Sequence, residues 1–568
     1  MKEPLKTSVL VVGGGPVGLT LAMDLASRGI DIIVAELRSA GEPPSPKCNH
    51  IAARSMEIFR RLGLAKEIRA KGLPADHPHD IVFCTTLTGD EITRIPIPPS
   101  AERYTRTEGP DCWWPTPEPP HRANQIYLEP ILFENARKTP KITILNRTSV
   151  DCYEQHTDCV VATARDLDTD ELFTISADYL VGCDGGKSWV RKSIGAKMEG
   201  TPVVQMVQST YIRAPDLMSR IQVGPAWMYI AVNPRRGGTA ISIDGADRWL
   251  IHNYLYRETE NEQTDRDWAL RTIFGVGADF QYEVLSNEDW VGRRLIADRY
   301  RDRRVFICGD AAHLWIPFAG YGMNAGIADA ANLSWILAAV LKGWGDVSML
   351  DAYENERQPI TDQVSHYAMN MAVDNIRKRG GVPAEIEAPG EQGAETRARI
   401  GRELYDLNVQ QFCCGGLNFG YFYDRSPIIV YDGETAPSYT MFEFSQSSVP
   451  GCHTPHIWLD DTLPLFDALG PDYTLLRLDA TVNVDEFLAS AARRGIPVKL
   501  LDITVPGAID IYKRKLVLSR PDQHVAWRGD EVPTDLSAVL DCVSGTSGHS
   551  SIKVVQREQR LHGTGAAI

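Results

Sequence analysis

At 568 residues, with 43% hydrophobic and 23% charged side chains, the chain is soluble in character, globular, and too long for one ordinary core; two or three domains are expected. A net charge of −15 excludes the basic groove that nucleic acid needs and argues against an anionic membrane surface. The longest apolar stretch, 333–341, is too short for a membrane span, and residues 1–6 run straight into a strand and glycines rather than a cleavable leader.

In chain order, residues 8–12 form a short strand, Gly13-Gly-Gly-Pro-Val-Gly18 a tight turn, and Leu19, Ala22, Met23 and Ala26 recur at helical spacing. Gly29 stops that helix, and 31–35 is the next strand, ended by Glu36. A helix is expected over 55–62. Residues 72–121, rich in Pro and Thr, read as strands and loops. Residues 128–138 are helical again, and 142–183 alternate as a meander of strands. The stretch 202–290 carries further strand-like runs, among them 227–232 and 239–243. Helices return at 322–342 and 351–378, followed by a surface loop over 380–393. Beyond 426, strands at 473–478, 498–503 and 515–519 alternate with helices at 484–493 and 535–542, which predicts a separate small α/β domain. The 11 cysteines have no framework spacing and suit a reducing, cytoplasmic setting.

Three motifs carry chemistry. The Gly13-x-Gly15-x-x-Gly18 turn follows a strand and opens a helix. Backbone there can approach a pyrophosphate at a helix N-terminus, and Glu36 can accept hydrogen bonds from ribose hydroxyls. The second motif, Cys183-Asp184-Gly185, ends the meander, with Arg191 on the helix beyond; taken singly, an Asp-Gly pair is a plain turn. The third runs from Gly309-Asp310 through His313, Pro317 and Gly320 to Gly322, Met323 and Asn324, where a helix begins. Its aspartate can hold ribityl or ribose hydroxyls. The helix N-terminus can set N–H groups and a positive dipole against the anionic end of a reduced flavin.

In this order and at this spacing the motifs resemble those of the single-component FAD aromatic hydroxylases, most closely the branch of phenol hydroxylase and 2,4-dichlorophenol monooxygenase. The likeness extends to 47–63 with Arg54-Ser-Met-Glu-Ile-Phe59, to Gln125 with Leu128 and Glu129, to 350–357, and to 450–459 and 516–528 near the C-terminus. It implies an α/β fold with a Rossmann-like FAD-binding domain assembled from 1–75, 120–200 and 290–400. An inserted, mostly β substrate domain takes 76–119 and 201–289, a linker 401–425, and a thioredoxin-like domain 426–568. It implies FAD held by Gly13, Gly15, Gly18, Glu36, Lys47, Gln125, Asp184, Asp310, Gly322, Met323 and Asn324, and reduced by a transiently bound NADH or NADPH. Reduced FAD and dioxygen then give a C4a-hydroperoxide that hydroxylates an electron-rich phenolic or related aromatic substrate. A homodimer is compatible with the resemblance, and a metal is not part of it.

The sequence departs from the family at two points. Lys47 stands where an arginine is usual, and Asn49 where phenol hydroxylase carries an aspartate that helps activate the phenol. An amide takes no proton, so His252, and after it His50, are the candidates to accept one near neutral pH, with Asn49 facing the substrate and Pro317 in the catalytic set. His252 shares a strand face with Tyr254, which could hold the phenolate, and Trp227 shares one with Tyr229, giving the ring aromatic walls. A strand histidine that simply packs in the core is the plainer alternative. An epoxidase or antibiotic-modifying hydroxylase would carry the same cofactor motifs. From another class, a flavin-binding redox protein without turnover would need a Cys-x-x-Cys pair in the last domain, and Cys452 has Pro455 in the partner position.

Overall fold

In a computed structural model of the protein, residues 4–112, 114–255 and 264–546 are described. The apolar strand Leu5–Val12 pairs in parallel with Ile32–Ala35 on one side and Leu172–Gly182 on the other. Val305–Ile307 and Ile142–Leu145 extend the parallel sheet at its two sides. Ile32–Ala35, Val305–Ile307 and residues 9–11 and 179–181 are apolar runs buried on both faces, as a sheet covered by helices requires. The strands Thr148–Gln155 and Val160–Asp166 add an antiparallel flap.

A second eight-stranded sheet is nearly all antiparallel. It runs His313–Trp315, Glu283–Ala297, Met198–Arg213, Arg248–Leu255, Gly238–Ser242, Met228–Ala231, Ile81–Cys84, Glu91–Ile95. It therefore runs past the expected boundary at 289. Two helices, Leu217–Arg220 and Arg266–Phe274, interrupt the stretch that reads as strands alone.

Two other expectations are corrected. The loop expected over 380–393 already contains a turn of 3-10 helix and the start of a long helix, Gly390–Phe412. The expected linker 401–425 is therefore largely helical. Ile400, Leu404, Asn408 and Gln411 recur at helical spacing and bury one face, and Gly401 lets the helix sit directly on Ile92 of the second sheet. The second concerns only the length of the longest apolar stretch. The helix Gly322–Leu341 is long and apolar enough to cross a membrane, but 83% of its apolar window is buried inside the fold, where it packs on Pro16–Ser27.

The C-terminal unit has the element order βαβαββα. Its four-stranded sheet runs Val498–Asp502, Tyr473–Arg477, Leu516–Ser519, Val525–Gly529, with the first pair parallel and the rest antiparallel. This is the thioredoxin-like arrangement; residues 547–568 of the expected domain lie outside the described residues. Burial pushes the Cys452 thiol up to about 11, far from the thiolate that exchange chemistry needs.

Burial also keeps several histidines neutral. His121, His252 and His456 are pushed down to about 4 and His524 to about 3, mainly by loss of solvent. In the unfolded chain each takes a proton near pH 6.5. Their contribution to stability is thus complete above about 6.5 and is lost as pH falls toward 4, because only the unfolded state gains protons in that window. The thermal midpoint of the holoenzyme should fall steadily between about pH 7 and 5, with net proton uptake on unfolding in calorimetry. A midpoint that stays flat over that range would refute the account.

Candidate active site

A cavity of about 520 Å³ opens between the two large sheets. Gly15, Pro16, Val17, Cys183, Gly185, Cys308 and Asp310 line one wall. All follow the carboxyl ends of three neighbouring parallel strands, the edge at which open α/β sheets bind their ligands. Close packing fixes this wall. A Cβ on Gly18 would lie 2.0 Å from the Gly13 carbonyl, and one on Gly326 would lie 2.6 Å from Val17. Only glycine lets the helix Gly322–Leu341 come this near the fingerprint turn. A Cβ on Gly15, by contrast, would meet nothing within 4 Å.

The third motif is held from behind. Asp329 accepts from the Gly309 N–H at 3.3 Å and bonds His313 at 2.7 Å, while Arg357 donates to its other oxygen at 2.7 Å. Asp310 itself has no hydrogen-bond partner among the described residues. It faces the cavity yet lies deep in the molecule, and this desolvation raises its carboxyl. Gly322 and Met323 also line the cavity, and the backbone N–H groups of Gly322, Met323 and Asn324 have no acceptor among the described residues. An unpartnered carboxylate, three free N–H groups and an open glycine turn fit FAD, and Asp310 and the two N-termini would hold it. When bound, FAD supplies the redox and oxygen-activating chemistry; the chain positions it and keeps water away.

Other expected cofactor residues are engaged by the chain itself. Glu36 accepts from Gly14 N–H at 2.6 Å and from Arg38 N–H at 2.8 Å. Arg38 continues to Glu129 at 2.5 Å, which accepts from Gln125 at 3.0 Å. Asp184, expected to hold the cofactor, is engaged within its own turn. Its carboxylate caps the helix Trp189–Ser193, accepting from the N–H groups of Trp189 and Val190 at 2.7 and 3.0 Å and from the Ser188 hydroxyl at 2.5 Å. The Asn324 side chain is a bracket. It accepts from Ala52 N–H and Ser55 and donates to the carbonyls of His50 and Gly320. Lys47 lines the cavity and pairs with Glu288 of the second sheet at 2.9 Å.

The opposite wall is the inner face of the second sheet. Cross-strand register lines up Ile230, Thr239, His252, Ser209 and Glu288 in one row, with Met228, Ile241, Leu250, Tyr211 and Ser286 in the next. His252 and Tyr254 share this face as expected; Tyr254 bonds Thr239 at 3.1 Å, and Trp290 packs edge-on against His252 at 5.7 Å. Trp227 lines the cavity, but Tyr229 does not. The strand begins at Met228, so alternation starts there, and Tyr229 points to the far face, bonded to the Gly224 carbonyl at 2.8 Å. Pro317 lines the cavity at the head of a 3-10 turn, and Asn49 does so while accepting from Asn124 at 2.5 Å.

The histidines differ in what they can do. His50 Nδ1 lies 2.5 Å from Arg122 Nη1, and an arginine only donates, so Nδ1 is the acceptor and Nε2 carries the hydrogen. That Nε2 is buried with no hydrogen-bond partner among the described residues, and burial and Arg122 hold the ring well below the usual range. His252, at about 4, remains neutral at physiological pH, and its buried Nδ1 has no partner.

Sequence reasoning missed Arg122, Arg379, Gln411 and Phe412, all of which reach the cavity. The one available signal was the arginine in His121-Arg122-Ala-Asn124, just ahead of the Gln125 segment.

The FAD binding domain profile matches residues 6–368, and the aromatic-ring hydroxylase C-terminal profile matches 447–547. The chain is a flavoprotein monooxygenase of the aromatic-ring hydroxylase family. It is 30% identical to the FAD-dependent monooxygenase apdD of Emericella nidulans, over 97% of this chain and 92% of that protein. It is 28% identical to phenol 2-monooxygenase of a Pseudomonas species, over 95% and 93%. Among structures, the hydroxylase superposes on the rebeccamycin biosynthetic enzyme RebC with reduced flavin at a TM-score of 0.86, with 34% identity over 96% of this chain and 100% of that one. For aklavinone-11 hydroxylase with FAD and aklavinone the TM-score is 0.77, with 27% identity over 96% and 100%.

Proposed function

We propose that this monooxygenase inserts one oxygen atom of dioxygen into a phenolic or related electron-rich aromatic ring, using NADH or NADPH. The observation that carries the reading is one cavity in which the wall fitted to FAD faces a ring-sized wall of Trp227, Trp290, Tyr254 and His252. The aklavinone bound beside FAD in the aklavinone-11 hydroxylase structure supports the same substrate class. A cytoplasmic enzyme and a homodimer complete the reading; the eleven cysteines, all free, suit the first. The test is a panel of phenols and larger hydroxyarenes scored for stimulated NAD(P)H oxidation, with products weighed after turnover under labelled dioxygen. Reductant consumption that yields only peroxide with every ring would sink it.

Magnitudes decide the role of His252. A phenol ionises near pH 10 and His252 near 4, so full proton transfer between them is uphill by roughly 8 kcal/mol. His252 therefore acts as a hydrogen-bond acceptor that polarises the phenol, with Tyr254 and Thr239 beside it, and not as a full base. His252→Ala should lower the fraction of NAD(P)H that yields product several-fold near pH 7, with recovery as pH rises toward the phenol's own ionisation. Normal coupling at every pH would remove His252 from the mechanism.

A further inference from the structure

Two arginines in the cavity wall have no carboxylate partner among the described residues. Arg122 is 3% exposed. It donates to His50 Nδ1 at 2.5 Å and to the Phe412 carbonyl at 3.3 Å, and its Nε has no acceptor. The nearby carboxylate, Asp111, is already bound by Arg103 at 2.6 Å. The side chain of Arg379, 7% exposed, makes neither a hydrogen bond nor an ion pair among the described residues; it lies 5.8 Å from the Phe83 ring. Both reach the cavity beside the apolar cluster of Phe83, Trp227 and Phe412.

Buried cations are normally paired, because desolvating an ion is costly unless an opposite charge replaces the water. Partial compensation exists here. Arg122 lies over the Trp227 ring at 4.1 Å, and Arg379 sits in the last turn of the helix Asp351–Gly380, where carbonyl ends face it. Neither supplies a full negative charge. FAD does not obviously supply one either, since three N–H groups at the start of Gly322–Leu341 already serve its anionic end. A guanidinium fork left open in an aromatic-lined cavity matches a planar carboxylate.

We propose that the ring this enzyme hydroxylates carries an ionised carboxylate that docks on Arg379, with Arg122 as the second positive charge. This rests on the cavity being the hydroxylase's substrate site, and it narrows the substrate from phenols in general to hydroxyarene carboxylic acids.

The probes are 2-naphthol and 3-hydroxy-2-naphthoate, titrated into the holoenzyme near pH 7.5 and read by flavin absorbance. The acid should bind about 10- to 100-fold tighter, the range for hydrogen bonds to a charged group. Arg379→Met should abolish that ratio and Arg379→Lys should keep part of it. FAD content and thermal midpoint of Arg379→Met should hold or rise, since an unpaired buried charge is removed. Equal binding of both probes to wild type overturns the proposal. So does a ratio that survives in Arg379→Met, or a falling midpoint with the ratio intact, which would mark Arg379 as purely structural. Product analysis separates this from the parent reading. Acid preference without hydroxylated product from either probe defeats the hydroxylase substrate assignment and leaves the anion site. Product from both probes at equal affinity does the reverse.

Discussion

Asp310→Ala is expected to leave the purified hydroxylase nearly colourless, with FAD affinity lowered about 10- to 100-fold through loss of a charge-assisted hydrogen bond. The side chain makes no hydrogen bond among the described residues and faces the cavity, where the charges near it are His313 and Lys47. The Gly309 N–H just before it is meanwhile held by Asp329, which His313 and Arg357 hold in turn. The truncation should therefore cost cofactor without costing the fold. Asp310→Asn should fall between, since it keeps an acceptor and loses the charge. Asp184→Ala is the contrast. It removes a helix cap, worth about 1 kcal/mol of stability, and should leave FAD affinity nearly unchanged. Flavin-to-protein absorbance ratios and calorimetric titration of stripped protein read both. If Asp310→Ala keeps FAD like wild type, or Asp184→Ala loses it, the assignment of the two aspartates is reversed.

That contrast marks where sequence stops being informative. The glycine fingerprint is readable because sterics leave no other residue type at Gly18. His252 and Tyr254 are readable because both lie well inside one strand, where alternation is strict. Trp227 and Tyr229 fail by one residue, because the strand starts between them. Asp184, Glu36 and Asn324 sit in the expected places, but a motif cannot say whether a side chain serves a ligand or its own turn. Arg122 and Arg379 were invisible for a different reason. They are 257 positions apart, and the fold brings both to one cavity, Arg379 from the last turn of Asp351–Gly380 and Arg122 where it bonds the end of Gly390–Phe412. The helix itself was hidden by its polar first turns, which read as a loop.

The other segments of family likeness meet somewhere the sequence does not suggest, and replacing Arg520 with methionine should show it. Arg520 is fully buried and forks onto both oxygens of Glu356 at 2.7 Å while bonding Asp522 at 3.0 and 2.8 Å. Asn332 donates to Glu356 at 2.6 Å, and Arg54 reaches the Asp522 carbonyl and pairs with Glu57 at 2.6 Å. Thus the 54–59, 350–357 and 516–528 segments converge on one buried ionic network, between the thioredoxin-like unit and the helices behind the flavin wall. Removing one partner of such a network leaves buried charges uncompensated and costs about 3–5 kcal/mol. Arg520→Met should thus lower stability by that order in denaturant unfolding of the holoenzyme, whereas the triple variant with Glu356→Gln and Asp522→Asn should recover much of it, since it removes the stranded carboxylates. The direction with pH follows from Glu57, which Arg54 and His453 hold down to about 2 against burial. Its contribution is complete above about 4.5 and disappears as pH falls toward 2, so acid should loosen the same interface. A loss below about 1 kcal/mol for Arg520→Met, or no recovery in the triple variant, would mean that apolar packing and not this network holds the C-terminal unit in place.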